Sequence, residues 1–249
     1  MEIKDKLFTF AKFVACPYVL NLDAVKPYVY DVSVILVGSV ATGICNANSD
    51  VDLCILCPKK IYNLIYPNIE WNNGKYMELS ISGISTRYYL EVIEDVLDNL
   101  NKMDDLAFYL YGYSQPLDDV SGAHKQLKKY INDQQLFSKR KKYIHNSMLK
   151  RRRQLTKYID SYTDPFGRMI VAYDTVRTLL RAISAYDNVP FDPKKHPYET
   201  ALSGTTGQIL KPCIDDLLFC TSNITDVSNT KIRKDFIALV DNCIAAISG

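Results

Sequence analysis

Residues 34–56 read VILVGSVATGICNANSDVDLCIL. An apolar run, Val34 to Val37, ends at Gly38-Ser39, a polar loop follows, and Asp50-Val51-Asp52 opens a second apolar run. Short, continuous, β-branched runs bounded by turn residues read as buried strands. One strand is therefore expected over Val32–Val37 and another over Asp50–Cys57. Side chains alternate across a strand, so Asp50 and Asp52 point to one face while Val51, Leu53 and Ile55 point to the other. A third segment, Lys75 to Ser82, repeats the pattern between the turn signal Asn72-Asn73-Gly74 and Gly83. There Met77, Leu79 and Ile81 share one face, and Glu78, Ser80 and Ser82 the other.

These residue types suit one chemistry. Two carboxylates one residue apart on a strand can both ligate a hard divalent cation such as Mg²⁺, which takes oxygen donors and often binds through one or two carboxylates plus substrate phosphates. Bare, Asp50 and Asp52 would repel, and a cation removes the conflict. Glu78, expected on the neighbouring strand, can be a third ligand or draw the proton from an acceptor hydroxyl; Glu70 is the alternative third acid. Two ions would then hold the attacking and leaving oxygens of an in-line displacement. Gly38 lets the backbone approach phosphates, and Ser39 adds a hydroxyl and an N–H at the start of a helix.

Outward from this stretch, Lys4 to Val14 has helical spacing and Pro17 is expected to break it. Asn21 can cap a short helix running to Tyr28. After Ser82 no further strand is expected. Helices are expected over Tyr88–Leu100 and Asp104–Tyr113, the latter stopped by Pro116, then a helix capped by Ser121, a long basic helix over Phe137–Tyr162, another over Phe166–Tyr186, and, after a proline-rich loop over Asn188–Pro197, two more over about Thr206–Cys220 and Ser228–Ile247. Asp164-Pro165 is a cap followed by a first-turn proline. The expected organisation is mixed α and β over residues 1–120 and an all-α bundle over residues 121–249, with the site between them.

At 249 residues, with 47% hydrophobic and 23% charged, the chain has ordinary globular composition. A formal net charge of +2 does not mark a nucleic-acid binder. Lys139 to Arg153 nevertheless carries eight Lys or Arg and no acid, as a cationic wall for phosphate or RNA, or as a solvated helix face with snorkelling stems. No apolar stretch approaches a membrane span, and the amphipathic N-terminus lacks a signal pattern. Seven scattered Cys do not suit a disulfide framework, and Cys54 and Cys57 read as buried strand thiols. A reducing, cytoplasmic setting without membrane contact is expected.

The order apolar strand, Gly-Ser, ten-residue spacer, Asp-Val-Asp, then an acid on a later strand resembles the polymerase-β-type nucleotidyltransferase superfamily, over roughly Val34–Ser82. The wording GSVATG…SDVDL is close to small bacterial members. The helical remainder is similar, through Gly112–Asp118, Tyr173–Arg181 and NVPFDPKKHPYE, to antibiotic nucleotidyltransferases of the aminoglycoside or lincosamide kind. The resemblance implies a twisted mixed sheet with flanking helices followed by a helical bundle. It also implies Mg²⁺-dependent transfer of a nucleoside monophosphate, with AMP from ATP expected, to a small-molecule hydroxyl with release of pyrophosphate. Asp50 and Asp52 would ligate two Mg²⁺ ions with Glu78 as third ligand or base, and Gly38 and Ser39 would grip phosphates. Arg177, Arg181 and Lys194 would contact the nucleotide. Transfer to a protein or RNA end, or a nucleotide-binding module without catalysis, are the alternatives.

Overall fold

The computed structural model describes residues 2–72, 74, 76–161, 164–225 and 230–248. Asn73, Lys75, Tyr162 and Ser228, which border expected elements, lie outside the described residues. The chain divides into two compact units, Met1–Asp133 and Gln134–Gly249.

The first unit is built on a five-stranded mixed sheet of order β3-β4-β2-β1-β5. Its strands are β1 (Ser33–Val37), β2 (Val51–Cys57), β3 (Met77–Ile81), β4 (Ile84–Val92) and β5 (Gln115–Asp118). β4 runs parallel to β2, and the other pairs are antiparallel. The odd-numbered residues of β2 and the even-numbered residues of β1 and β4 form one buried layer, with Val34, Leu36, Val51, Leu53, Ile55, Tyr88 and Leu90 in it. That layer packs with Leu7, Phe10, Ala11, Ala15 and Val19, from α1 (Ile3–Phe10), a π-helical turn (Ala11–Ala15) and α2 (Cys16–Leu20). Pro17 does not break the helix. It lies in the first turn of α2, where the missing N–H costs nothing. The expected helix from Asn21 shrinks to a 3₁₀ turn, Lys26–Tyr28. Two short helices complete this part, α3 (Gly38–Thr42) and α4 (Lys59–Ile65).

Two strands were not foreseen. Residues 84–92 alternate buried and half-buried side chains along almost their whole length, so the period of two prevails where a helix was expected to start at Tyr88. The helix begins only at Ile93, as α5 (Ile93–Asn101). Pro116 lies in β5, an edge strand, where a residue without an N–H is tolerated. Next to α5 come α6 (Asp105–Gly112) and α7 (Ala123–Ile131). α7 belongs to the first unit although it lies beyond residue 120. Asp119 accepts from the α7 backbone N–H groups of His124 (2.9 Å) and Lys125 (3.1 Å), and Lys128 Nζ closes the end of α6 through Gly112 O at 2.6 Å.

The second unit is all-α: α8 (Gln134–Ser161), α9 (Pro165–Tyr186), α10 (Pro197–Leu202), α11 (Thr205–Asn223) and α12 (Thr230–Ser248). Asp164 caps α9 as expected, accepting from Gly167 N at 2.8 Å with Pro165 in the first turn. Ile144, Met148, Leu155, Val176, Ile183 and Phe236 belong to its core. No helix among the described residues is long and apolar enough to cross a membrane.

Candidate active site

Gly38 follows β1 directly, and its φ of +71° is a left-handed backbone that glycine adopts without strain. The register places Val37 beside Asp52 on β2. A Cβ on Gly38 would stand 2.4 Å from Asp52 Oδ2, so the carboxylate occupies the space a side chain would need. Tyr89, on β4, donates its hydroxyl to Asp52 Oδ1 at 3.3 Å. Burial and then the Asp52 charge raise the Tyr89 phenol, which stays a protonated donor. Asp50 immediately precedes β2, and its side chain is about one-third exposed. Thr42 Oγ1 donates to Ser39 O at 2.9 Å and closes the single turn that follows Gly38.

Glu78 shares the face of Asp52 but not a neighbouring strand. β4 lies between β2 and β3, and Arg87 on β4 is in register with both Asp52 and Glu78. At about 4.8 Å per strand, the two acids stand roughly 10 Å apart along the sheet. Arg87 Nη1 meets Asp50 Oδ2 at 2.8 Å and Nη2 meets Glu78 Oε1 at 3.3 Å. Burial opposes the Arg87 charge, but Asp50, Glu78 and Asp52 outweigh it and hold the guanidinium above its ordinary value. The expected cluster of three acids is replaced by two acids, an arginine and a third acid beyond it. Among the described residues no group of three His, Cys, Asp or Glu side chains could hold a metal ion. Glu70, the alternative third acid, forms no such group either.

Residues 12–111 match the family model described as poly(A) RNA polymerase, mitochondrial-like, central palm domain. The match lies within the first unit and supports its likeness to the polymerase-β-type nucleotidyltransferase superfamily. A solved structure described as a nucleotidyltransferase-like protein from Exiguobacterium sibiricum 255-15 is similar to the chain at 12% identity and a TM-score of 0.48, over 95% of this chain and 72% of that one. No curated protein matches in sequence.

Along the same face of the palm, away from Asp52, the pattern turns structural. Burial raises the Cys54 thiol against an opposing hydrogen bond from Tyr111 on α6, and in the opposite layer, with Val51, Leu53 and Ile55, burial pushes Cys57 up to about 12. Both are inert protonated thiols, as expected of buried strand cysteines. Burial, then Asp95, raises the Glu91 carboxyl. Sequence reading missed Arg87 and Tyr89. The signal that could have found them is the alternation Thr86, Tyr88, Leu90, Val92, which puts both residues on the opposite, acid-bearing face.

Asp50 and Asp52 fit a divalent cation by donor chemistry. Both are carboxylates, a hard cation takes such oxygens, and bound phosphates complete its shell. Asp50 uses Oδ2 for Arg87, and a carboxylate carries further lone pairs for a ligand.

The residues expected from the helical part lie in the second unit. Arg177 Nη2 donates to Pro193 O at 2.8 Å, which ties α9 to the loop that carries Lys194. Asp192 is buried in that loop and accepts from the N–H groups of Lys194 (2.8 Å), Lys195 (3.1 Å) and His196 (3.0 Å). Lys194 and Lys195 are therefore displayed outward by a pinned turn. Arg181 lies over the Tyr143 ring at 5.5 Å. Part of the basic run on α8 is engaged within its own unit, while Lys139, Lys142, Lys150 and Arg153 are exposed. Arg140 is only 2% exposed, and Lys141 lies 3.9 Å over the Tyr186 ring. Arg151 pairs with Asp174 at 3.1 Å, and Arg152 Nη2 bonds Asp241 at 2.7 Å.

Proposed function

We propose that the protein transfers a nucleoside monophosphate, with ATP the expected donor, to a hydroxyl of a small-molecule acceptor of the aminoglycoside or lincosamide kind. The acceptor oxygen bonds to the α-phosphorus, the bond from that phosphorus to the pyrophosphate oxygen breaks, and the hydroxyl proton is released. The observation that carries the reading is the seating of the Asp52 carboxylate against Gly38, with Asp50 beside it and Ser39 next in the chain.

Each part has a task. A Mg²⁺ ion held by Asp50 and Asp52 would neutralise charge on the triphosphate. Tyr89 fixes the Asp52 carboxylate, an outer hydrogen bond of the kind that orients a ligand. Gly38 leaves space for that carboxylate, and Ser39 offers a hydroxyl and an N–H to phosphate oxygens. Arg177, Arg181 and Lys194 are proposed cationic contacts to the nucleotide.

Transfer to an RNA end is the second reading, favoured by the name of the palm family. Lys141, Arg151 and Arg152 are engaged within their own unit, which removes three of the eight basic residues of the run from a continuous cationic surface and favours the small acceptor. The test supplies labelled ATP, and in turn each of the other three labelled NTPs, and Mg²⁺ with an aminoglycoside and lincosamide panel, and with RNA oligonucleotides in parallel. A labelled small product supports the first reading, and a lengthened RNA the second. No transfer to any acceptor, with any of the four NTPs, refutes both.

A further inference from the structure

The register places an arginine, not a carboxylate, next to Asp52 on β4. Arg87 is the direct cross-strand neighbour of Asp52 on one side and of Glu78 on the other. Its guanidinium meets Asp50 at 2.8 Å and Glu78 at 3.3 Å, and it lies over the Tyr76 ring at 5.7 Å. We propose that Arg87 takes the place of a second metal ion, so that this palm binds one divalent cation through Asp50 and Asp52, and that Glu78 is a positioning residue for Arg87. The proposal rests on the nucleotidyl-transfer reading above.

Three observations carry it. First, the described residues gather no third acid with Asp50 and Asp52, so a second ion would find no carboxylate of its own. Second, Glu78 Oε1 is committed on its own side of the sheet, accepting from Ser85 Oγ at 3.1 Å as well as from Arg87. Third, a guanidinium is always charged and its planar fork suits two carboxylates at once. A second cation placed there would meet a fixed positive charge. Arg87 can still stabilise negative charge on a phosphate by hydrogen bonding and charge. It cannot ligate an acceptor oxygen as a metal does.

The test counts ions. Mn²⁺ is titrated into the full chain with the non-hydrolysable analogue α,β-methylene-ATP present, and bound Mn²⁺ is read by electron paramagnetic resonance. One ion per chain is expected in the wild type and in Glu78→Gln. Arg87→Asp, which exchanges the cation for a ligand, is expected to take up a second ion. Circular dichroism confirms that each variant is folded, and Arg87→Lys, which keeps the charge, is expected to stay at one ion. Two ions in the wild type, loss of the ion in Glu78→Gln, or a single ion in Arg87→Asp would each overturn the proposal while leaving nucleotidyl transfer standing. No bound Mn²⁺ in the wild type would remove the nucleotidyl-transfer reading and the proposal with it.

Discussion

Gly38 and Asp52 share one volume: a Cβ on the glycine would stand 2.4 Å from the carboxylate Oδ2, and the glycine φ is +71°. A side chain at position 38 meets two separate penalties. The left-handed backbone costs roughly 1–2 kcal/mol. The carboxylate, being the end of a side chain, can move aside at little cost to the fold. Gly38→Ala is therefore expected to lower stability by only about 1–2 kcal/mol but to displace Asp52 and remove most transfer activity. Thermal melting and turnover, measured together, check this. A variant that loses stability and keeps full turnover would show that the Gly38–Asp52 contact does not serve the chemistry.

Asp52→Asn keeps the shape and the acceptor oxygen for Tyr89 but removes the charge. Turnover is expected to fall by roughly 10²–10³-fold, the scale of removing one electrostatic group from an active site, with melting little changed. Tyr89→Phe removes only the orienting hydroxyl, and a loss of about 10–100-fold is expected. Equal effects of the two would mean that Tyr89 contributes directly rather than through Asp52.

The reach of the sequence follows from the same residues. The three strands first identified, and the sharing of one face by Asp52 and Glu78, follow from alternation alone. β4 was hidden because RYYLEVIEDVL carries two periods at once. Val92, Val96 and Leu100 have helical spacing, while Thr86, Tyr88, Leu90 and Val92 have strand spacing, and the change occurs at Ile93. Missing β4 removed the strand that separates Glu78 from Asp52. Alternation assigns a face, but only strand order assigns a neighbour, and β4 enters between β2 and β3 by pairing parallel to β2. Arg87 was illegible for that reason and not for want of a motif.

A pH effect resides in the α7 region. His124 is buried, and its ring Nε2 lies 3.2 Å from Ser114 Oγ. Burial, then the Lys128 charge, hold its pKa below the usual value. The unfolded chain, with an imidazole near 6.5, therefore takes up the proton more readily than the folded one. Stability from the neutral ring is complete above about 6.5 and declines as pH falls through the lowered folded value. Melting of the wild type is expected to drop more between pH 7.5 and pH 5 than melting of His124→Gln. Parallel slopes would show that His124 is not the titrating group.

The Lys194 turn separates a structural role from a binding role. Asp192 is 2% exposed and accepts three successive backbone N–H groups, so Asp192→Ala leaves three part-buried donors without their partner. The expected cost is about 1–3 kcal/mol. Lys194 is exposed, and Lys194→Ala should leave stability unchanged. If Lys194 contacts the nucleotide as proposed, Lys194→Ala raises the KM for the NTP several-fold at nearly constant kcat, because it removes binding common to the ground and transition states. Asp192→Ala should then raise the same KM in addition to lowering melting, since the turn that presents Lys194 is lost. A lowered melting point in Asp192→Ala with KM unchanged in both variants would confine the turn to holding the second unit together.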